Sequence, residues 1–278
     1  MTKSNKYLIR HLLSKTDAVI ANALRVWINF SGGRLLRIPG DEIFEAIQHD
    51  SLFEQAERNF VHKFLIQGHI FWDAGANFGL YTLIGARQVK RKGKVLAIEP
   101  DPRNRRRLWI NILLNAFTNV KVLPAALGDH EKEAEFLSCS EGAYSGLRVA
   151  KVPGVLKQIK VRQTTLDSVA AKFGWPQVDL LKMDVEGAEI LVLQGGVEFF
   201  EIRPRPLVMC EFSDRRTIAF NYRAKEIYDW LADKGYLWFE FTENGKLKMA
   251  KPKEEYDYDN LVACPEEKLY TVDTWRQD

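Results

Sequence analysis

The stretch FWDAGANFGLYT, residues 71–82, decides the fold. A short apolar run ends at Asp73, Gly75 and Gly79 follow, and an amphipathic segment begins directly after them. This order predicts a buried strand, a tight turn and a helix, an arrangement that places ligands at the carboxyl end of the strand. The unusual feature is the carboxylate of Asp73 at the strand tip.

Strand and helix patterns alternate from His69 to the end of the chain. We predict strands over 69–73, 94–100, 120–128, 133–138, 159–166, 177–187, 206–212, 236–241, 246–250 and 260–265, and helices over 79–90, 101–115, 188–196 and 223–235. Such alternation is typical of an α/β fold with a doubly wound, mostly parallel sheet. The last three strands predict a C-terminal antiparallel hairpin on one side of it.

The first 68 residues show helical rather than strand spacing. Apolar side chains recur over residues 5–30 and again over 41–65, and the turn Ser31-Gly32-Gly33 separates the two segments. We therefore predict an N-terminal helical extension over 1–68 and one domain over 69–278. The basic first helix either packs on that domain, contacts another subunit or lies on a membrane surface.

Composition excludes several classes of protein. The chain has 278 residues, of which 46% are hydrophobic and 28% charged, so a folded core is expected. Three widely spaced cysteines favour neither a disulfide framework nor a zinc cluster. A net charge of +3 gives no support for a nucleic-acid partner. With no long apolar run and no recognisable signal peptide, we expect a cytoplasmic protein.

The loop after the first domain strand favours a cationic ligand over a phosphate. A dinucleotide turn has a G-x-G-x-x-G pattern, whereas this loop keeps only Gly75 and Gly79 and adds the acid Asp73. A carboxylate beside a pyrophosphate is electrostatically unfavourable. The same carboxylate attracts the positive charges of a sulfonium and an α-ammonium. Glu99, at the end of the second strand, has the spacing of a ribose-binding acid. S-adenosylmethionine fits both features.

Three motifs occur in order: DAGANFGLYT, AIEPDPRNRRRLWINILLN and DLLKMDVEGAEILVLQGG. With them, residues 69–212 resemble the FkbM family of S-adenosylmethionine-dependent methyltransferases. The resemblance implies a Rossmann-like class I methyltransferase fold and methyl transfer to a hydroxyl of a sugar, glycan or secondary metabolite. It also implies cofactor contacts, which we assign to Asp73, Gly75, Asn77, Gly79, Glu99, Asn104 and Ala126.

Acidic residues follow two later strands and are the catalytic candidates. A hydroxyl acceptor must lose its proton during methyl transfer, to a positioned base or with the help of a metal. We expect Asp184 and Glu186 to face the cleft, with Glu211 beside them. The alternative is structural: Lys182 pairs with one carboxylate, and Glu189 stabilises the start of its helix. A divalent metal is possible but not favoured, because no histidine accompanies these acids.

Two other functions stay open at this point. One is an NAD-dependent oxidoreductase on a similar sheet, which Asp73 and the missing glycine disfavour. The other is a non-catalytic protein that keeps the fold to bind a partner. Tyr144 and Arg148 are candidates for an acceptor pocket, and His130 is a weaker candidate for the base. The sequence leaves the identity of the acceptor undetermined.

Overall fold

The structure is a computed structural model, and it describes residues 27–30, 33–36, 42–49, 53–139, 145–148, 156–242 and 246–273. The strands are β1 (Trp27–Phe30), β2 (Gly33–Leu36), β3 (Ile70–Ala74), β4 (Lys94–Ile98), β5 (Val120–Leu123), β6 (Ala126–Leu127), β7 (Lys132–Cys139), β8 (Leu156–Thr164), β9 (Leu180–Met183), β10 (Leu207–Phe212), β11 (Tyr236–Phe241), β12 (Leu247–Met249) and β13 (Asp259–Pro265). The helices are α1 (Glu42–His49), α2 (Gln55–Phe64), α3 (Leu80–Val89), α4 (Pro102–Leu114), α5 (Leu166–Lys172), α6 (Glu189–Gln194), α7 (Asp214–Thr217) and α8 (Lys225–Ala232). Two 3₁₀ turns span Ile218–Phe220 and Glu266–Thr271.

An eight-stranded sheet forms the centre of the molecule, in the order β12-β11-β13-β10-β9-β3-β4-β5. The five strands from β10 to β5 are parallel, and β13, β11 and β12 add antiparallel pairs at one side. This confirms the predicted doubly wound sheet and its antiparallel C-terminal strands. The chain runs outward from β3 to β5 and resumes on the other side of β3 at β9. The strand order therefore reverses between β3 and β9, where such sheets bind ligands.

Alternate residues of β3 pack on opposite faces of the sheet. Phe71 belongs to the hydrophobic cluster on one face, and Trp72 belongs to the cluster on the opposite face. Leu35, Phe44 and Phe60, from the region before β3, lie in the same cluster as Phe71. The described part of residues 27–68 is therefore packed on the sheet, and the boundary at residue 68 stays a prediction.

The N-terminal region differs from the predicted pair of long helices. Trp27 and Ile28, expected in the first helix, lie in β1, which pairs antiparallel with β2. The predicted helix over 41–65 is two shorter helices, α1 and α2. The side-chain oxygens of Asn111 and Asn115 accept hydrogen bonds from backbone amides of β2 at 2.7 and 2.9 Å, so contacts remote in sequence stabilise the hairpin. The rest of the first predicted helix lies outside the described residues.

The segment expected as one strand over 120–128 forms two. β5 belongs to the central sheet, whereas β6 pairs with β8 in a three-stranded sheet of order β6-β8-β7. Pro124 lies between them and has no amide hydrogen to continue the first ladder. α5 follows β8 and was not predicted; the side chain of Thr165 accepts a hydrogen bond from the amide of Ser168 at its start. Across the described residues, we find no helix with the length and hydrophobicity that crossing a bilayer requires.

Candidate functional site

A cavity of about 320 Å³ lies at the carboxyl ends of the parallel strands. Eight of the ten predicted site residues line it: Gly75, Asn77, Glu99, Asn104, Ala126, Asp184, Glu186 and Glu211. We call the part near the first five the glycine-loop end. We call the part formed by Glu54, Asp184, Glu186, Glu211, Arg216 and Tyr258 the acidic end. The volume is within the range of small-molecule sites.

Gly75 is required where the loops after β3 and β9 approach each other. Its φ is +76°, and a Cβ there would lie 2.8 Å from the carbonyl carbon of Asp184 and closer still to the carbonyl oxygen. Two hydrogen bonds fix the approach: the amide of Gly75 donates to Ile98 O at 3.0 Å, and that of Asp184 to Ala74 O at 3.1 Å. The backbone of the glycine loop is therefore held directly against the acidic end.

Glu99 is oriented by two backbone amides at the glycine-loop end. The amide of Asn77 donates to one carboxylate oxygen at 2.8 Å, and the amide of Asp101 donates to the other at 2.7 Å. Burial raises the pKa of Glu99 to about 8, although both amides oppose that shift. Each oxygen keeps a lone pair for a further donor. The nearby side-chain oxygen of Asn104 is buried and has no hydrogen-bond partner among the described residues.

Asp73 and Gly79, the other two predicted cofactor residues, lie outside the lining of the cavity. The hydroxyl of Thr82 donates to one oxygen of Asp73 at 2.5 Å, and the other oxygen is buried without a partner among the described residues. Burial raises the pKa of Asp73, and the ammonium of Lys182 opposes the rise. At Gly79, which precedes α3 with a φ of +97°, a Cβ would collide with the side chain of Leu108. Helix packing thus accounts for that glycine.

At the acidic end, two cations contact three of the carboxyl groups. The ammonium of Lys182 donates to Asp184 at 3.0 Å. Arg216 forms ion pairs with Glu211, at 2.8 Å, and with Glu186. The predicted alternative, in which Lys182 pairs with a carboxylate, is therefore present in the structure.

Asp184 and Glu211 are also hydrogen-bonded to each other, and their pKa values move in opposite directions. Burial raises the pKa of Asp184, but the charges of Lys182 and Arg216 outweigh burial and lower it overall. Burial and the charge of Asp184 together raise the pKa of Glu211 well above its usual range. The surrounding charges therefore favour a shared proton on the Glu211 side of the pair over the Asp184 side.

Glu189 stabilises the turn that carries Glu186. One carboxylate oxygen accepts hydrogen bonds from the amides of Val185 and Gly187 at 3.0 and 3.3 Å, and the other accepts from the hydroxyl of Tyr222 at 3.3 Å. Burial raises the pKa of Glu189 to about 7. The structural role expected for Glu189 as an alternative to catalysis thus has a clear geometric basis. Glu186, within the turn, has a left-handed φ of 60°.

Three residues that line the acidic end were missed by the sequence reasoning: Glu54, Arg216 and Tyr258. Arg216 comes shortly after β10, so its position behind a strand tip was an available signal. Glu54 precedes α2 and Tyr258 precedes β13, and no local pattern marks either residue.

The segment between β7 and β8 contributes to the cavity through Ser145 and Leu147. The guanidinium carbon of Arg148 lies 5.5 Å from the centre of the Phe220 ring, and Arg148 is not part of the lining. Tyr144 lies outside the described residues. His130 pairs with the carboxylate of Asp129 at 2.7 Å in an exposed position, away from the cavity.

The residues present fit S-adenosylmethionine better than a dinucleotide. Asp73 and Asn104 each present a buried oxygen without a partner among the described residues, and Glu99 keeps lone pairs for hydroxyl donors. Among the described lining residues, Arg216 is the basic one, and it is paired with acids. A pyrophosphate would lack a cation at the glycine-loop end. No group of three or more His, Cys, Asp or Glu side chains is placed to hold a metal ion within the described part of the chain.

Comparisons with known proteins agree with this chemistry. Residues 73–237 match the family described as the methyltransferase FkbM domain. A 199-residue stretch, 59% of this chain, is 29% identical to the AMB antimetabolite synthetase AmbE of Pseudomonas aeruginosa but spans 9% of that protein. Another of 195 residues, 54% of this chain, is 27% identical to the methyltransferase sdnD of Sordaria araneosa and spans 75% of it.

Among solved structures, the methyltransferase FkbM from Methylobacillus flagellatus KT is 19% identical, with a TM-score of 0.40. The match covers 71% of this chain and 44% of that one.

Proposed function

The chain belongs to the FkbM family of S-adenosylmethionine-dependent methyltransferases, and we propose that it methylates a hydroxyl group of a sugar, glycan or secondary metabolite. Membership of this family favours methyl transfer over the hydride transfer of an NAD-dependent oxidoreductase, which the sequence motifs alone left open. The observation that carries the proposal is the carboxyl group of Asp184, held by Lys182 at 3.0 Å beside the glycine loop in a cavity that is large enough for a small molecule.

The glycine-loop end is proposed to hold the methyl donor. When bound, S-adenosylmethionine supplies a methyl group on a sulfonium. Glu99 would accept hydrogen bonds from ribose hydroxyls, since two amides already orient its oxygens. Gly75, Asn77, Asn104 and Ala126 would form the surrounding wall. Asp73, behind the loop, would contribute a negative potential that favours a cationic ligand.

Asp184 is proposed to take the proton of the acceptor hydroxyl. The ammonium of Lys182 lies 3.0 Å from its second oxygen and fixes the orientation of the carboxylate. A shared proton is favoured on the Glu211 side of the pair, so Asp184 is the member able to accept another. Glu186, paired with Arg216, would form the wall against which the acceptor lies. The main contribution of these residues would be alignment of the hydroxyl, supplemented by removal of its proton.

The name of one relative supports a secondary-metabolite acceptor, because AmbE is named an antimetabolite synthetase. The name of sdnD supports methyl transfer alone. This chain spans 9% of AmbE, so that name supports the class of acceptor and not a particular substrate.

Calorimetric titration with S-adenosylhomocysteine, run beside NAD, tests the cofactor assignment. We expect binding of the first compound only. Glu99→Gln should weaken binding by about tenfold, because one acceptor oxygen becomes an NH₂ group, which cannot accept a hydrogen bond from a ribose hydroxyl or a backbone amide. Glu135→Gln, the same change at an exposed site on β7, is the control. Binding of NAD, or equal affinity in both variants, would contradict the assignment.

Methyl transfer to hydroxylated acceptors tests the chemistry. With labelled S-adenosylmethionine, we expect products in which the methyl is bound to oxygen, located by mass spectrometry and NMR. Asp184→Asn should lower the rate by roughly 10²-fold or more while leaving S-adenosylhomocysteine affinity unchanged. Methylation at nitrogen or carbon, or an unchanged rate in this variant, would refute the assignment.

A further inference from the structure

Glu54 is a carboxylate of the acidic end that no part of the preceding mechanism uses. It lies directly before α2 with a left-handed φ of 46° and lines the cavity. The hydroxyl of Tyr81 donates to one of its oxygens at 2.8 Å, and the hydroxyl of Tyr258 donates to the other at 3.1 Å. Two phenols from distant parts of the chain thus orient this carboxylate.

The charge balance distinguishes Glu54 from the neighbouring acids. Asp184 has Lys182 at 3.0 Å, and Glu211 has Arg216 at 2.8 Å. Among the described residues, the partners of Glu54 are two neutral phenols, and no cation lies within ion-pair distance. Burial raises the pKa of Glu54, and the more distant charge of Lys182 opposes the rise. Glu54 is half-buried, and an arriving cation would compensate the charge of its carboxylate.

The position of Glu54 points to the acceptor rather than to the methyl donor. Glu54 and Tyr258 both lie outside residues 73–237, which match the family domain. A site for a donor common to the family has to be built from the part of the chain that the family shares. Tyr258 is 52% exposed, so this wall of the cavity reaches the surface of the protein. A ligand that contacts Glu54 would enter from that side.

We propose that Glu54 is a specificity-determining residue that binds a positively charged amine on the methyl acceptor. The acceptor would then be an amino-bearing hydroxyl compound, with its ammonium at Glu54 and its hydroxyl at Asp184. This inference rests on the proposed methyltransferase function and narrows its substrate class. The free lone pairs of an oriented carboxylate match the N–H groups of an ammonium, and a neutral hydroxyl would compensate the charge less well.

Analogues that join the methyl donor to an acceptor-like arm provide the test. In these compounds, nitrogen replaces the sulfur of S-adenosylhomocysteine and carries an aminoalkyl or a hydroxyalkyl arm, each two to four carbons long. Calorimetry should show that the aminoalkyl compound with the best-fitting arm binds about tenfold or more tightly than its hydroxyalkyl partner. Glu54→Gln should remove this preference and leave S-adenosylhomocysteine affinity unchanged.

Two further variants separate charge from structure. Glu57→Gln makes the same change in the first turn of α2, where the carboxylate contacts Asn260 and does not line the cavity; it should keep the preference. Tyr258→Phe removes one hydrogen bond but no charge, so the amine should still bind more tightly.

Equal binding of both arms, or a preference that survives Glu54→Gln, would overturn the inference while leaving the proposed function intact. Loss of S-adenosylhomocysteine affinity in Glu54→Gln would instead assign the residue to the methyl donor and also overturn it. Failure of the unmodified protein to bind S-adenosylhomocysteine would refute the proposed function itself.

Discussion

Replacing Gly75 with alanine tests the close approach of the two loops at the cavity. Two costs apply. A residue with a Cβ in the left-handed region costs about 1–2 kcal/mol. The new methyl group would also collide with the backbone of Asp184, which a hydrogen bond to the carbonyl of Ala74 restrains. Overpacking of this kind costs about 1–3 kcal/mol. The free energy of unfolding should therefore fall by about 2–5 kcal/mol.

Gly174 provides a matched control. Its φ is +74°, nearly that of Gly75, and a Cβ there would meet nothing within 4 Å. Gly174→Ala should therefore show the backbone cost alone, about 1–2 kcal/mol. The difference between the two variants, about 1–3 kcal/mol, measures the collision.

Urea denaturation followed by circular dichroism measures both variants, and calorimetry measures their affinity for S-adenosylhomocysteine. Gly75→Ala should lose affinity because the displaced loop carries Asn77 and its bond to Glu99, whereas Gly174→Ala should keep it. Equal destabilisation of the two variants, or normal affinity in Gly75→Ala, would refute the reasoning.

Two further predictions concern stability. Because burial raises the pKa of Glu189 to about 7, the folded protein keeps a proton between pH 4.5 and 7 that the unfolded chain has lost, and the free energy of unfolding falls as pH rises through that range. The free energy of unfolding of Glu189→Gln, relative to that of the parent protein, should rise by on the order of 3 kcal/mol between pH 4.5 and 7 in urea titrations; a constant difference would contradict this. Arg205 is buried and bonds to both oxygens of Glu267 at 2.9 and 2.6 Å, so Arg205→Ala should lose about 2–3 kcal/mol. The exposed pair of Lys160 and Glu133 is the control: Lys160→Ala should leave the urea midpoint nearly unchanged, and equal losses would show that burial is not the cause.

The parallel part of the sheet was predictable because its signals are local. Buried strands such as β3 and β4 are short apolar runs that end in turn residues, and Pro102 marks the start of α4. The hairpin of β1 and β2 was not predictable in this way. Trp27 and Ile28 fit a helical stripe as well as a strand, and the amide side chains that stabilise the hairpin come from Asn111 and Asn115.

The residues of the site also fall into a group that local sequence signals predict and a group that they do not. Gly75, Asn77 and Glu99 lie at the ends of adjacent strands, so strand order alone brings them together. Glu54 and Tyr258 reach the cavity only through tertiary packing, and a sequence pattern contains no information on that contact. For Arg216, the position after β10 could be predicted from the sequence, but its ion pairs with two acidic residues could not.

The hydrogen bond between Tyr258 and Glu54 joins residues 204 positions apart. One wall of the cavity is therefore encoded by segments on either side of the domain that the family shares. Such an arrangement lets the two kinds of wall be inherited separately. We expect chimaeras that combine the central domain of one relative with the flanking segments of another to keep the same methyl donor and to adopt the acceptor preference of the flanks.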